Sequence, residues 1–209
     1  MATQERGVRT QVKVLEAAAD VIDRRGYASA SIAEILEVAG VTKGAMYFHF
    51  PSKQHIARGV MQAQTGFEDI PEDESPLQSI INLTHHLALR LQDNVVLRAS
   101  IRLTIEHGSF DDVEPDSPYH WWLQRFTRRF LLAKGAGELR DGVTPEEAAE
   151  TIVGSFSGIQ LLSQVLDGRR DLVRRITLWW KHLLPGLACE EVLPRLCPEG
   201  TLDRVVKPR

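Results

Sequence analysis

Between residues 31 and 53 the chain reads SIAEILEVAGVTKGAMYFHFPSK, and its side chains suit one chemistry above others, the donation of hydrogen bonds to a polyanion. Thr42, Tyr47 and His49 offer a hydroxyl, a phenol and an imidazole, donors of the kind that hold phosphate oxygens. Lys43 can donate to guanine O6 and N7 or to a phosphate. Gly44 and Ala45 put almost no side chain in the way, so a helix carrying them can come close to base edges. Phe48 falls in the same run, and Lys53 stands where it can clamp the flanking backbone of a duplex. Two short helices joined through Ala39-Gly40-Val41 would give a helix-turn-helix, whose second helix enters the major groove. The plain alternative is an αα-hairpin with aromatic residues in its core.

Helices must position these groups, and the sequence supplies their start and stop signals. Val14, Ala18, Val21 and Ile22 fall on one stripe of a helix expected from about Val8 to Arg25, stopped by Gly26. Ser31 is a helix cap, and Glu34 three residues on completes a capping box. Ile32, Ile35, Leu36 and Ala39 form the apolar face of that helix, and Gly40 ends it. Thr42 caps the next helix, Pro51 ends it, and Ser52 caps a fourth. Beyond an acidic loop at 69–76, helices are expected at about 76–92, 94–107 and 118–134, with a second acidic loop at 108–118. Thr144-Pro145-Glu146-Glu147 is a strong helix start. The helix it opens should reach about Leu166, and a last long helix should span 169–184 and stop at Pro185-Gly186. Strand signals are scarce, so the expected fold is all-α with about nine helices. By chain order it divides into a helix-turn-helix domain, 1–53, and a larger helical domain, 54–209.

Composition narrows the class. The chain has 209 residues, 43% apolar and 25% charged, enough to bury a core without metal or disulfide. No apolar run approaches a membrane span, and the first residues lack a secretory h-region, so the expectation is a cytoplasmic protein with no membrane partner. Two cysteines exclude a disulfide framework and a multi-cysteine zinc site. Residues 1–55 hold seven basic and six acidic residues, against 18 and 22 in the remainder. That small excess suits DNA only if the positive groups share one face.

Seven histidines form no His-Glu-x-x-His pair, and Gly154-Ser155-Phe156-Ser157-Gly158 lacks the central serine and preceding strand of a nucleophile elbow. No metal, no cofactor and no enzyme activity are expected.

The run GYASASIAEILEVAGVTKGAMYFHFPSKQHIA resembles the N-terminal domain of TetR-type repressors along almost its whole length. NVVLRASIRL, SPYHWW, KGAGEL and VGSFSGIQLLSQ further resemble the γ-butyrolactone autoregulator receptors of actinomycetes, a branch of that family. The resemblance implies a homodimeric repressor on a palindromic double-stranded operator, released by a small lactone and controlling secondary metabolism. Its recognition helices would lie one helical turn apart, ~34 Å, or a multiple of that. It also implies a ligand site in which Trp122 stacks on the lactone ring, with Gln64 and Ser157 as polar contacts and Thr127 as a further candidate. Where that branch often has threonine, this chain has Ser157. The neighbouring possibility is a related regulator that senses a butenolide, an antibiotic or another hydrophobic compound. For the dimer, Phe156, Ile159, Leu162, Ile176, Trp179, Trp180, Leu183 and Leu184 offer a broad apolar surface on the last two long helices, some of it expected to fill the monomer's own core.

Overall fold

Local signals place most of the helix ends in the computed structural model, which describes residues 2–62, 72–107 and 118–201. Among the described residues the helices are α1 (Ala2–Arg25), α2 (Ile32–Ala39), α3 (Lys43–His49), α4 (Lys53–Gln62), α5 (Pro76–Asp93), α6 (Val95–His107), α7 (Pro118–Gly135), α8 (Pro145–Asp167) and α9 (Leu172–Leu187), followed by a 3-10 turn, Leu193–Arg195. The described residues form two compact units. One holds 2–62, 94–107 and 118, the other 72–93 and 119–201. The packing thus gathers α4 and α6 with the three N-terminal helices, where chain order suggested a boundary at residue 53. All of the predicted loop at 108–118 but Pro118, which opens α7, and the first part of that at 69–76 lie outside the described residues.

In the first unit the stripe on α1 builds the core. Val14, Ala18, Val21 and Ile22 are at most 1% exposed, and Ile35, Met46, Ile56 and Val60 close over them. Such burial of a Val, Leu, Ile or Met side chain contributes about 1.5–3 kcal/mol. Gly26 ends α1 at φ 78°, and α6 secures that end. Arg102 Nη1 donates to the carbonyls of Ile22 (3.2 Å) and Asp23 (2.9 Å), while Arg98 Nε pairs with the Asp23 carboxylate at 2.8 Å. The cation thus satisfies Asp23 O at the helix end and adds a second bond to Ile22 O, which also accepts from Gly26 N–H at 2.8 Å. A Cβ on residue 26 would stand 2.8 Å from Arg102 Nη2, so glycine serves both the turn and this approach.

The capping box at α2 is half made. Ser31 Oγ accepts from Glu34 N–H at 3.1 Å, but the Glu34 carboxylate turns to Arg25 Nε at 3.0 Å. At α8 the two side chains pair with each other. Thr144 Oγ1 accepts from Glu147 N–H and donates to the Glu147 carboxylate at 2.7 Å.

In the second unit α5 and α9 form the centre. Trp180 is fully buried, and its Nε1–H donates to Thr84 Oγ1 at 2.7 Å. The expected stop of α9 at Pro185 is corrected, because the helix continues to Leu187. Its end is stitched to the segment after α7. Arg140 donates from Nη1 to the Pro185 carbonyl (2.7 Å) and from its backbone N–H to Leu187 O (3.0 Å), and Cys189 N–H donates to Glu138 O (2.9 Å). These partners hold the last turn despite the missing proline N–H.

The segment after the 3-10 turn is tied to one face of α5. The Gln78 carboxamide brackets Cys197, accepting from its N–H (2.7 Å) and donating to its carbonyl (3.1 Å). Asn82 both donates to and accepts from Thr201, and His85 Nε2–H donates to Pro198 O at 2.8 Å. Burial pushes the His85 imidazole below its ordinary 6.5, against the opposing pull of the Pro198 carbonyl and Glu199. A folded-state value below the unfolded one means that the unfolded chain binds the proton first. Stability should therefore be complete well above pH 6.5 and fall as the pH drops below it. Thermal melts of the wild type at pH 7.5 and 5.5 should show this loss, and His85→Gln should reduce it. Equal slopes in both proteins would remove His85 as the cause.

Candidate nucleic-acid interface and ligand site

The turn from α2 to α3 is set by backbone chemistry. Gly40 is left-handed at φ 62°, and its N–H reaches back to the carbonyls of Leu36 and Glu37. Val41 packs on the core, and Thr42 then caps α3, accepting from Ala45 N–H at 3.2 Å. With one turn anchored at each end, α3 presents two faces. Met46 is wholly buried, while Thr42, Lys43, Gly44, Tyr47 and Phe48 are exposed. Ala45 and His49 are half-buried. Phe48 is 85% exposed, an unusual place for so apolar a ring, and it meets the His49 imidazole edge-on at 5.0 Å. The Lys43 ammonium lies 5.8 Å from the centre of the Tyr47 ring. Sequence reasoning thus named a set of residues that the fold does bring together.

Lys53 stands differently. It is half-buried, with its ammonium 4.3 Å from the Tyr27 ring centre and its Nζ donating to Ala28 O at 3.4 Å. Burial lowers its pKa from the ordinary 10.5. In this conformation the side chain fixes the start of α4 against the α1–α2 connection. Its ammonium carries three donors, so the bond to that carbonyl leaves others for a flanking phosphate.

The lactone-site candidates lie in the second unit, except Gln64, which lies outside the described residues. On α7, Trp122 is 7% exposed and its ring is tilted against Phe126 at 5.9 Å between centres. Trp121, its neighbour, is half-buried and meets the Trp122 ring edge-on at 4.7 Å between centres, and the Arg125 guanidinium lies by both rings, 4.7 Å from the centre of Trp121 and 5.7 Å from that of Trp122. Thr127, further along α7, is half-buried. On α8, Ser157 is half-buried and its hydroxyl donates to the Val153 carbonyl of its own helix at 2.8 Å. A cleft of ≈ 670 Å³ also lies in this unit, between Lys134, Arg140, Asp141, Thr144, Cys189 and Glu190. It is polar, and neither Trp122 nor Thr127 nor Ser157 lines it.

The apolar residues named for the last long helices divide. Ile176, Trp180 and Leu184 are core. Phe156, Ile159, Trp179 and Leu183 are half-buried, while Leu162 is exposed. What sequence reasoning missed is the rest of the exposed strip on α8, Leu161, Val165 and Leu166, of which Val165 is 74% exposed. Their spacing in LLSQVLD was the available signal.

Comparison with known proteins gives the family and fold. Residues 14–60 match the family described as bacterial regulatory proteins, tetR family, and residues 74–189 match the tetracyclin repressor-like C-terminal domain. The A-factor receptor protein of Streptomyces griseus is 40% identical over 211 residues, covering 100% of this chain and 75% of that protein. The TetR family protein CprB of Streptomyces coelicolor, solved in complex with its biological operator sequence, superposes with a TM-score of 0.75 at 30% identity over 96% of this chain and 98% of that one. A gamma-butyrolactone receptor described as an ArpA-like protein superposes with a TM-score of 0.76 at 29% identity, with 96% and 98% coverage.

Proposed function

Because the chain belongs to the TetR family of bacterial regulatory proteins, we propose that it is a dimeric repressor released from a palindromic operator by a γ-butyrolactone-type signal. As a TetR-type repressor it regulates transcription and is not an enzyme. In this reading it works in the cytoplasm and controls secondary metabolism. The observation that carries the reading is the exposed face of α3, which joins phosphate donors, a base-reading lysine and backbone free of bulk on one short capped helix. Residues 1–53 supply the DNA-contacting head, and 54–209 sense and dimerise. Thr42, Tyr47 and His49 hold phosphates, Lys43, Gly44, Ala45 and Phe48 meet the groove, and Lys53 reaches the flanking backbone.

One helix as short as α3 reads few bases, so two copies are needed for useful specificity. The exposed apolar strip on α8 supports self-association, since Leu161, Leu162, Val165 and Leu166 would otherwise face water. A lactone ligand is supported by the likeness to a gamma-butyrolactone receptor and to the A-factor receptor. It is also supported by the buried face of Trp122, which offers a flat apolar wall. Thr127 and Ser157 complete that site in this reading.

Release follows from linkage. The lactone must bind better to the conformation that does not fit DNA, and a difference of about 1–3 kcal/mol weakens operator binding about 5–150-fold. The chain passes between its two compact units three times, once between residues 62 and 72 and again at 93/94 and 118/119, which provides three covalent routes for the coupling. Among the described residues no helix is long and apolar enough to cross a membrane.

The test is a gel shift on operator DNA with and without a γ-butyrolactone. The wild type should bind and be released. Trp122→Ala should bind equally well and stay bound at lactone concentrations that free the wild type. Normal release by Trp122→Ala would refute the assignment of Trp122, and release by a butenolide alone would favour the neighbouring ligand class.

A further inference from the structure

Gln160, on the inner side of α8, is 1% exposed, and its Nε2 has no hydrogen-bond partner. Buried carboxamides rarely leave a donor empty, because its water is lost and nothing replaces it. The orientation of this carboxamide is fixed by chemistry. Arg169 Nε (3.3 Å) and Nη2 (3.0 Å) both lie at the Gln160 oxygen, and a guanidinium can only donate. Turning the amide over would set NH₂ against N–H, so Oε1 must face Arg169 and Nε2 must face away.

Arg169 is itself firmly held. It is 6% exposed, its Nη1 donates to Gln164 Oε1 at 2.6 Å, and its carbonyl accepts from Gln92 Nε2 at 2.9 Å. Its backbone is left-handed at φ 66°, a conformation that a non-glycine residue keeps only when its surroundings impose it. The result is a buried donor pair held facing away from Arg169 by a rigid support. Ser157, one turn earlier on the same helix, uses its hydroxyl proton on Val153 O, which leaves it poorly placed to donate to a ligand.

We infer that Gln160 Nε2 is the hydrogen-bond donor for an acceptor oxygen of the bound signal, the carbonyl of a lactone in the reading above, and that Arg169 is its positioning residue. The inference rests on that reading for the ligand class. Gln160 falls in the VGSFSGIQLLSQ run, but sequence alone pointed only to the hydroxyl within it.

Gln160→Glu is the discriminating variant. It keeps the oxygen that Arg169 grips and adds charge to that contact, while replacing the donor with a second acceptor. Gln164→Glu is its control, because it adds the same charge beside the same guanidinium and leaves Gln160 untouched. With a synthetic 2-alkanoyl-γ-butyrolactone as probe, two quantities are measured, the concentration that frees half of the operator and the lactone-induced rise in Tm. Gln160→Glu should bind operator like the wild type without lactone, need at least about tenfold more lactone for release, and show little rise in Tm. Gln164→Glu should stay within about twofold of the wild type. If Gln160→Glu does not fold, Gln160→Met, similar in length and uncharged, carries the comparison and should show the same loss of response. A Gln160→Glu protein that releases like the wild type overturns the inference, because a residue that merely supports Arg169 would behave that way. A wild type that answers no lactone overturns this inference and the ligand reading together. A wild type that answers, with a Gln160 variant that answers equally, overturns this inference alone.

Discussion

Replacing Leu162 and Val165 together by aspartate is expected to give a folded monomer that holds operator DNA at least about 100-fold more weakly than the wild type. Both residues are exposed on α8, 49% and 74%, so the substitutions leave the monomer's own core intact. Two carboxylates on that strip would have to be buried without partners if a second copy packed against it, which costs several kcal/mol for each charge. Loss of the pair then removes the gain from joining two half-site readers, about 10²–10⁴ in effective affinity. Light scattering checks the mass, and gel shifts check the DNA. A double variant that remains dimeric would place the self-association surface elsewhere.

The second large effect concerns the core. Trp180→Ala should lower the unfolding free energy by about 3–5 kcal/mol, the range for emptying a buried aromatic site. Trp180 is fully buried where α9 packs on α5, so the void would open at the centre of the second unit. Trp180→Phe should cost far less. The lost N–H bond is one of two at Thr84 Oγ1, whose hydroxyl still donates to the Ile81 carbonyl at 2.8 Å. A net hydrogen bond contributes about 0.5–1.5 kcal/mol, and the smaller ring adds some lost packing. Urea unfolding of the three proteins checks the order. A Trp180→Ala protein as stable as Trp180→Phe would contradict it.

The local signals in the sequence were sufficient for the recognition helix. Thr42 caps α3 by a bond three residues long, and Gly40 closes α2 through its own backbone angle, so each could be read from a few letters. The same holds for Thr144 and for Gly168 at φ 56°. Features that depend on distant partners were not legible. Pro185 would end an isolated helix, but Arg140, 45 residues earlier, supplies bonds that carry α9 past it. Glu34 has the spacing of a capping box, yet Arg25 competes for its carboxylate. Nothing near Lys53 announces that Tyr27 and Ala28 will hold its ammonium. Gln78, Asn82 and His85 share one face of α5, but their partners lie more than a hundred residues later.

The ligand site followed the same division. Resemblance alone proposed Trp122, and the structure shows its ring buried beside Phe126. Gln160 was not, because an unsatisfied donor is a property of packing and is invisible until Arg169 has been placed against its oxygen.

The central claim is that two copies of α3 enter successive major grooves of one palindrome. Hydroxyl-radical footprinting of the purified protein on palindromic fragments from its own genome, at low salt, tests this most directly. The expected record is two protected patches, symmetric about the dyad and separated by one helical turn or a whole multiple of it, both lost with Lys43→Ala combined with Tyr47→Ala. A single patch, patches out of phase with the helical repeat, or protection unchanged in the double variant would contradict it.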